Sequence, residues 1–159
     1  ADVVIAAGEG PAGGGYQAAM VGSLDFAFCV SPMHPLTRLE QPLSRGDLLE
    51  YNAMVVSDSA RTLSDRTVGL LAGQPRVAVP TMAAKIACQR AGLGHGFLPR
   101  ACIQGDLARG TLIELQTEEP RKPEAFWLAW KTGAKGKALQ WWVTQLNRQL
   151  VPALLPRST

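Results

Sequence analysis

The chain has 159 residues, 47% of them hydrophobic and 18% charged, a balance that excludes a disordered polymer and suits one good core or two small lobes. Its net charge of +3 is mild, and apart from a loose cluster at Lys131, Lys135 and Lys137 the basic residues are scattered, which excludes a stripe that grips several phosphates of a nucleic acid. The three cysteines, Cys29, Cys88 and Cys102, show no metal-ligand spacing and favour a reduced, cytoplasmic setting. No apolar run is long enough to span a membrane.

The first segment, Val3 to Ala7, is a continuous apolar run ending at Gly8, the pattern of a strand buried on both faces of a parallel sheet. Gly8 to Gly15 (GEGPAGGG) then reads as a flexible loop. It lacks the residue order of a phosphate-binding loop, having no Lys after Gly13, Gly14 and Gly15. Because a central strand needs neighbours on both sides, further polypeptide is expected before Ala1.

A second strand is expected at Phe26 to Val30, closed by Ser31, Pro32 and the turn Met33-His34-Pro35-Leu36. Ser44, with Asp47 three residues on, has the form of a helix cap, and a strand from Ala53 to Val56 ends in Ser57 and Asp58. Arg76 to Arg100 reads without interruption as strand, cap, helix, glycine stop and strand. The helix spans about Met82 to Ala91, with Thr81 as cap, alanines that let it lie close to a sheet and Gly92 as a left-handed stop. Further strands are expected at Thr111 to Leu115 and Phe126 to Trp130. An amphipathic helix then carries Leu139, Trp142, Val143, Leu146 and Leu150 on one face.

Three of these strands lead into hydroxyl residues: Ser31, Ser57 and, after Pro80, Thr81. If the strands run parallel, all three hydroxyls lie along one carboxyl edge, where helix N-termini and free backbone N–H groups favour polar or anionic ligands. Each residue taken singly reads equally as a cap. Asp58 and Arg61 beside Ser57 suit either recognition of a charged ligand or a local ion pair. His34 and His95 have no carboxylate or thiol partner at a recognisable spacing, and Cys88 reads as packing, so no catalytic constellation, metal site or cofactor motif emerges. Trp127, Trp130 and Trp142 read as core.

The order FCVSPMHPLTR, YNAMVVSDSAR, MAAKIACQRAGLGHGFLP and ARGTLIEL resembles the effector-binding domain of LysR-type transcriptional regulators, most specifically at Ser31 to Leu36 and Gly92 to Pro99. The resemblance implies an α/β, periplasmic-binding-protein-like fold: two Rossmann-like lobes joined by crossing strands, with a small molecule in the cleft. It further implies that residues 1–24 and 111–151 form an incomplete lobe I, residues 25–110 form lobe II, and residues 152–159 are a tail. The winged helix-turn-helix would lie outside this chain. The implied function is effector sensing, not enzymatic activity. A small polar or anionic metabolite would alter the geometry of a homo-oligomer, a dimer or tetramer that reaches DNA through the absent domain. Effector contacts are implied at Gly8, Glu9, Gly10, Ser31 and Thr81, and the strand-end reading adds Ser57, Asp58 and Met82. The alternative is an exported solute-binding protein of similar fold, against which the cysteines and the His34-Pro35-Leu36 turn count.

Overall fold

The structure, a computed structural model, describes residues 3–10, 14–57, 71–133 and 136–146. The chain divides into two compact units, one formed by Ala1–Asp25 with Lys122–Thr159 and the other by Phe26–Arg121. Residues 111–121, expected in the first lobe, fall in the second unit because their strand pairs there.

In the first unit, β1 (Val3–Ala7), β2 (Tyr16–Leu24) and β8 (Glu124–Lys131) form an antiparallel sheet in the order β1-β8-β2. The central strand is thus the aromatic-rich one, whose Trp and Phe side chains suit a pleated, packed surface. Helix α4 (Lys137–Gln145) is followed by Leu146. Val143 and Leu146 pack against a cluster formed by Val21 and Leu128 with Val3, Phe126 and Trp130.

Two expectations need correction in this unit, and one strand is additional. Strand β1 pairs antiparallel with β8, so its apolar run does not mark a strand of a parallel sheet, and Val4 and Ile5 are 44% and 49% exposed. Trp142 is 50% exposed, its ring edge-on to Trp141, whereas Val143 and Leu146 do pack; Leu150 lies outside the described residues. Strand β2 went unanticipated, since Ala, Gly and Ser dilute its β pattern and a register shift between Met20 and Gly22 breaks its alternation.

In the second unit the chain runs through β3 (Phe26–Val30), a short 3-10 turn (Pro35–Arg38), α1 (Arg45–Leu49), β4 (Ala53–Val56) and β5 (Arg76–Val79). It continues through α2 (Met82–Arg90), β6 (Gly96–Pro99), α3 (Arg100–Arg109) and β7 (Ile113–Glu114). Ser44 and Asp47 cap α1 reciprocally, as the spacing predicts. Helix α3 carries no side-chain cap and little periodicity, and its only clear punctuation in sequence is Gly110, left-handed at φ 68°.

Strand β3 lies between β6 and β7 and is antiparallel to both, whereas β4 and β5 are parallel. The two sheets meet through an isolated parallel bridge between Ala53 and His95. It follows that β4, β5 and β6 share one direction and β3 runs the other way. Alternation along β3 divides the core. Ala27 and Cys29 face Ile86, Leu98, Ile103 and Leu112, while Phe28 and Val30 face Leu36, Leu43 and Leu115.

Candidate functional site

Strand direction decides which of the expected contacts can act together. Val56 pairs with Val79, so the residues that follow them, Ser57 and Pro80-Thr81, lie side by side at the carboxyl edge of β4 and β5. Ser31 follows β3, which runs the opposite way, and therefore lies at the other edge of the sheet. The expectation that all three hydroxyls share one edge is corrected by this antiparallel step, which an isolated strand's sequence does not encode.

Ser57 and Thr81 are both exposed. Ser57 N–H and Oγ donate to Val79 O at 2.9 and 3.1 Å, leaving the hydroxyl oxygen's lone pairs directed outward. Thr81 Oγ1 accepts from Ala84 N–H at 3.1 Å and caps α2, which leaves its hydroxyl hydrogen available for donation. Beyond the cap, unpaired N–H groups in the first turn of α2 give this corner a positive dipole end. Met82 is half-buried and packs against the Ala27–Leu98 cluster, so its side chain is a core contact. Asp58 and Arg61 lie outside the described residues.

The stripe Thr81, Lys85 and Gln89 continues inward along α2 at i, i+4 and i+8. Lys85 is 8% exposed and donates through Nζ to Phe97 O at 2.9 Å. Burial, with the like charge of Arg121 adding to it, lowers its amine from 10.5 to about 8. Gln89 is fully buried. The sequence reading passed over both because a small-residue helix drew attention to its alanines, although two long polar side chains one turn apart on its inner stripe were the available signal.

The opposite edge is packed. Ser31 is 4% exposed, its hydroxyl accepts from Met33 N–H at 3.3 Å, and its O accepts from His34 N–H at 3.0 Å. His34 Nδ1 accepts from Leu36 N–H at 3.2 Å and so caps the 3-10 turn. His95, 2% exposed, places Nε2 3.1 Å from Leu48 O and 3.2 Å from Gln74 Nε2. Burial pushes its imidazole down to about 4 and lowers that of His34 as well, so both rings are neutral at pH 7. The two centroids are 6.3 Å apart. Among the described residues no group of His, Cys, Asp and Glu is arranged to hold a metal ion.

In the first unit, Gly8 adopts φ 104° and its carbonyl accepts from Trp127 Nε1 at 3.0 Å, while a Cβ on Gly10 would lie 3.2 Å from the same indole. Glu9 is exposed between the two. The glycines therefore wrap Trp127.

On the face of the second unit away from α2, a groove of about 320 Å³ is floored by Phe26, Phe28 and Phe97 and walled by Pro42, Thr117 and Arg121. Phe26 and Phe28 share one face of β3 and Phe97 joins them from β6, so only part of this aromatic floor is local in sequence.

The sequence of residues 1–151 matches the family model of the LysR substrate binding domain. The chain belongs to that family. The match decides between the two related readings in favour of the regulator's domain over the exported solute-binding protein, and the family is one of transcription regulators, not enzymes. Among relatives, the chain is 34% identical over 143 residues to the HTH-type transcriptional regulator YeeY of Escherichia coli strain K12, covering 89% of this chain and 46% of that protein. It is 36% identical over 120 residues to the transcriptional activator AllS of Salmonella typhimurium strain LT2, covering 76% of this chain and 39% of that one. The chain thus spans less than half the length of these relatives.

Two solved structures show the same fold as this LysR substrate-binding domain. The regulatory domain of MetR, a LysR family regulator from Neisseria meningitidis, superposes with a TM-score of 0.72 at 18% identity, covering 99% of this chain and 73% of that one. The regulatory domain of AphB from Vibrio vulnificus gives 0.68 at 14% identity, covering 90% and 72%.

Proposed function

We propose that this chain is the effector-sensing part of a DNA-binding LysR-type regulator in the cytoplasm, and that the carboxyl edge of its second unit, Ser57 with Thr81, contacts a small polar or anionic metabolite. The supporting observation is the pairing of two exposed hydroxyls with the N-terminus of α2 at one corner, where the Thr81 hydroxyl and first-turn N–H groups can donate. In this reading the effector shifts transcription by binding two conformations of a homo-oligomer with different affinity, because a ligand that binds both equally shifts nothing. DNA is reached through a helix-turn-helix domain of the same regulator.

The test is a thermal-shift screen of small carboxylic acids, amino acids and sugars on the intact regulator, followed by calorimetry on any hit. Thr81→Ala and Ser57→Ala are expected to weaken the hit at least fivefold, while Ser31→Ala, at the packed edge, leaves it unchanged. A hit whose affinity ignores Thr81 and Ser57 but falls with Ser31→Ala would refute the assignment.

A further inference from the structure

Between β4 and β6 the sheet is held by a single bridge. Met54 N–H donates to His95 O at 2.9 Å and His95 N–H donates to Asn52 O at 3.0 Å, after which the ladder stops. One step further on, the Phe97 carbonyl accepts the Lys85 amine in place of a β4 backbone N–H. A Cβ on Gly96 would lie 3.0 Å from Gln89 Nε2, 3.3 Å from Met54 O and 3.4 Å from Lys85 Nζ, so amine, amide and a β4 carbonyl all lie close against Gly96.

The polar groups at that point are under-used. Gln89 is 0% exposed, yet neither Nε2 nor Oε1 has a hydrogen-bond partner among the described residues. Buried amides are almost always paired with protein or with a bound species, so this one points to an occupant. Lys85 has three donors and one assigned acceptor. Among the described residues the charge that acts on it is the guanidinium of Arg121, and burial with that like charge holds the amine at about 8.

We propose that the split between β4 and β6 is an anion subsite, in which Lys85 Nζ and Gln89 Nε2 receive the carboxylate of a small acid. The proposal rests on the carboxyl-edge reading above and deepens it by naming the ligand's chemical class. A carboxylate accepts from both donors and neutralises the buried ammonium, whereas a cation would meet Lys85 as a like charge. A neutral alcohol would satisfy Gln89 and leave the amine's charge unanswered. Thr81, one turn before Lys85, stands at the mouth of the same stripe, with Lys85 N–H donating to Thr81 O at 3.0 Å.

The experiment follows the Lys85 amine by NMR of lysine labelled at Cε, titrated with pH in sodium acetate and in sodium chloride at equal ionic strength, with Lys85→Met assigning the signal. The expected result is an apparent pKa raised by at least one unit in acetate, saturating with concentration and absent in chloride. Gln89→Leu is expected to weaken acetate at least fivefold without shifting the chloride titration. Equal titration in both salts, or equal rises in both, would overturn the proposal and leave Lys85 as a strut that fills the split. If Thr81→Ala and Ser57→Ala weaken a validated effector while Lys85 ignores acetate, this inference fails alone. If acetate saturates at Lys85 but no effector responds to the edge residues, the edge reading fails and the anion subsite stands.

Discussion

At one edge of the second unit's sheet, Ser31, His34 and His95 are each buried to 96% or more; Ser31 and His34 bond to nearby backbone, and His95 reaches Leu48 O and Gln74. At the other, Ser57 and Thr81 are exposed and the stripe behind Thr81 runs inward through Lys85 and Gln89. Both edges carry hydroxyls after strands, and helix α2 touches both, its N-terminus at the open edge and its C-terminus at the packed one. Gly92 N–H donates to Gln89 O and Leu93 N–H to Cys88 O, which closes that end with paired carbonyls. The difference teaches that a hydroxyl at a strand end becomes available to a ligand only where the neighbouring chain leaves it uncovered. The packed edge should therefore carry stability and the open edge should carry binding.

The sharpest way to break this contrast is Gly94→Ala. Its Cβ would lie 2.4 Å from Asn52 O, a backbone atom that cannot step aside, so the variant should lose about 3 kcal/mol or more of stability in urea unfolding. Retention of wild-type stability would mean the bridge between β4 and β6 is looser than described.

Next is the pH response of His95. Its folded pKa of about 4 lies below the usual 6.5, so the unfolded chain binds the proton more readily. Stability is complete above about 6.5 and is lost as pH falls toward 4. Relative to His95→Phe, the wild type should lose up to about 3 kcal/mol across that window, at ~1.4 kcal/mol per unit, as read from urea midpoints at pH 7.5 and 4.5. Parallel pH profiles for the two proteins would remove His95 from the stability of that edge.

A smaller loss is expected for Asp106→Asn. This carboxylate is 3% exposed and accepts from Arg90 Nε and Nη2 at 2.7 and 2.6 Å and from Thr111 Oγ1 at 2.6 Å, tying the ends of α2 and α3 to β7. Since the Arg90 side chain is 45% exposed, solvent screens the pair and a loss of about 2 kcal/mol is expected, measured by the same unfolding. At the open edge, Thr81→Ala should cost only about 1 kcal/mol, the usual worth of a helix cap, while producing the larger binding defect predicted above. A Thr81 variant that loses several times this stability yet, while still folded, binds effector normally would invert the comparison.

Thiol chemistry sharpens it further without touching stability. Cys102 is exposed and should react with an aromatic disulfide reagent at pH 8 in the folded protein. Cys29 is fully buried in the β3 core, its thiol pushed up to about 12, and should react only after denaturant is added.

Much of the second unit was legible because its signals are local. The Ser44–Asp47 box, the Thr81 cap, the Gly92 stop and the strand at Ala53 to Val56 each depend on neighbours within a few residues, and each stands where the pattern placed it. The site was only partly legible. Thr81 and Ser57 do share an edge, but Ser31 does not join them, and Lys85 and Gln89 gained their interest only when β6 arrived beside α2. In the first unit, β2 escaped notice because its alanines and its bulge carry little β signal, while its pairing with β8 supplies the missing order.

What the sequence alone determined was the set of elements with strong caps and periodicity, the absence of a catalytic constellation, and membership in a family whose motifs at Ser31 to Leu36 and Gly92 to Pro99 are distinctive. Only the tertiary structure decided strand direction, and with it which hydroxyls share an edge. The physical reason is that a strand's side-chain pattern repeats every two residues whichever way it runs, so a single strand records which residues face the core but not the direction of its partners. Direction is fixed by long-range pairing, here by β3 lying antiparallel between β6 and β7 and by one bridge from Ala53 to His95.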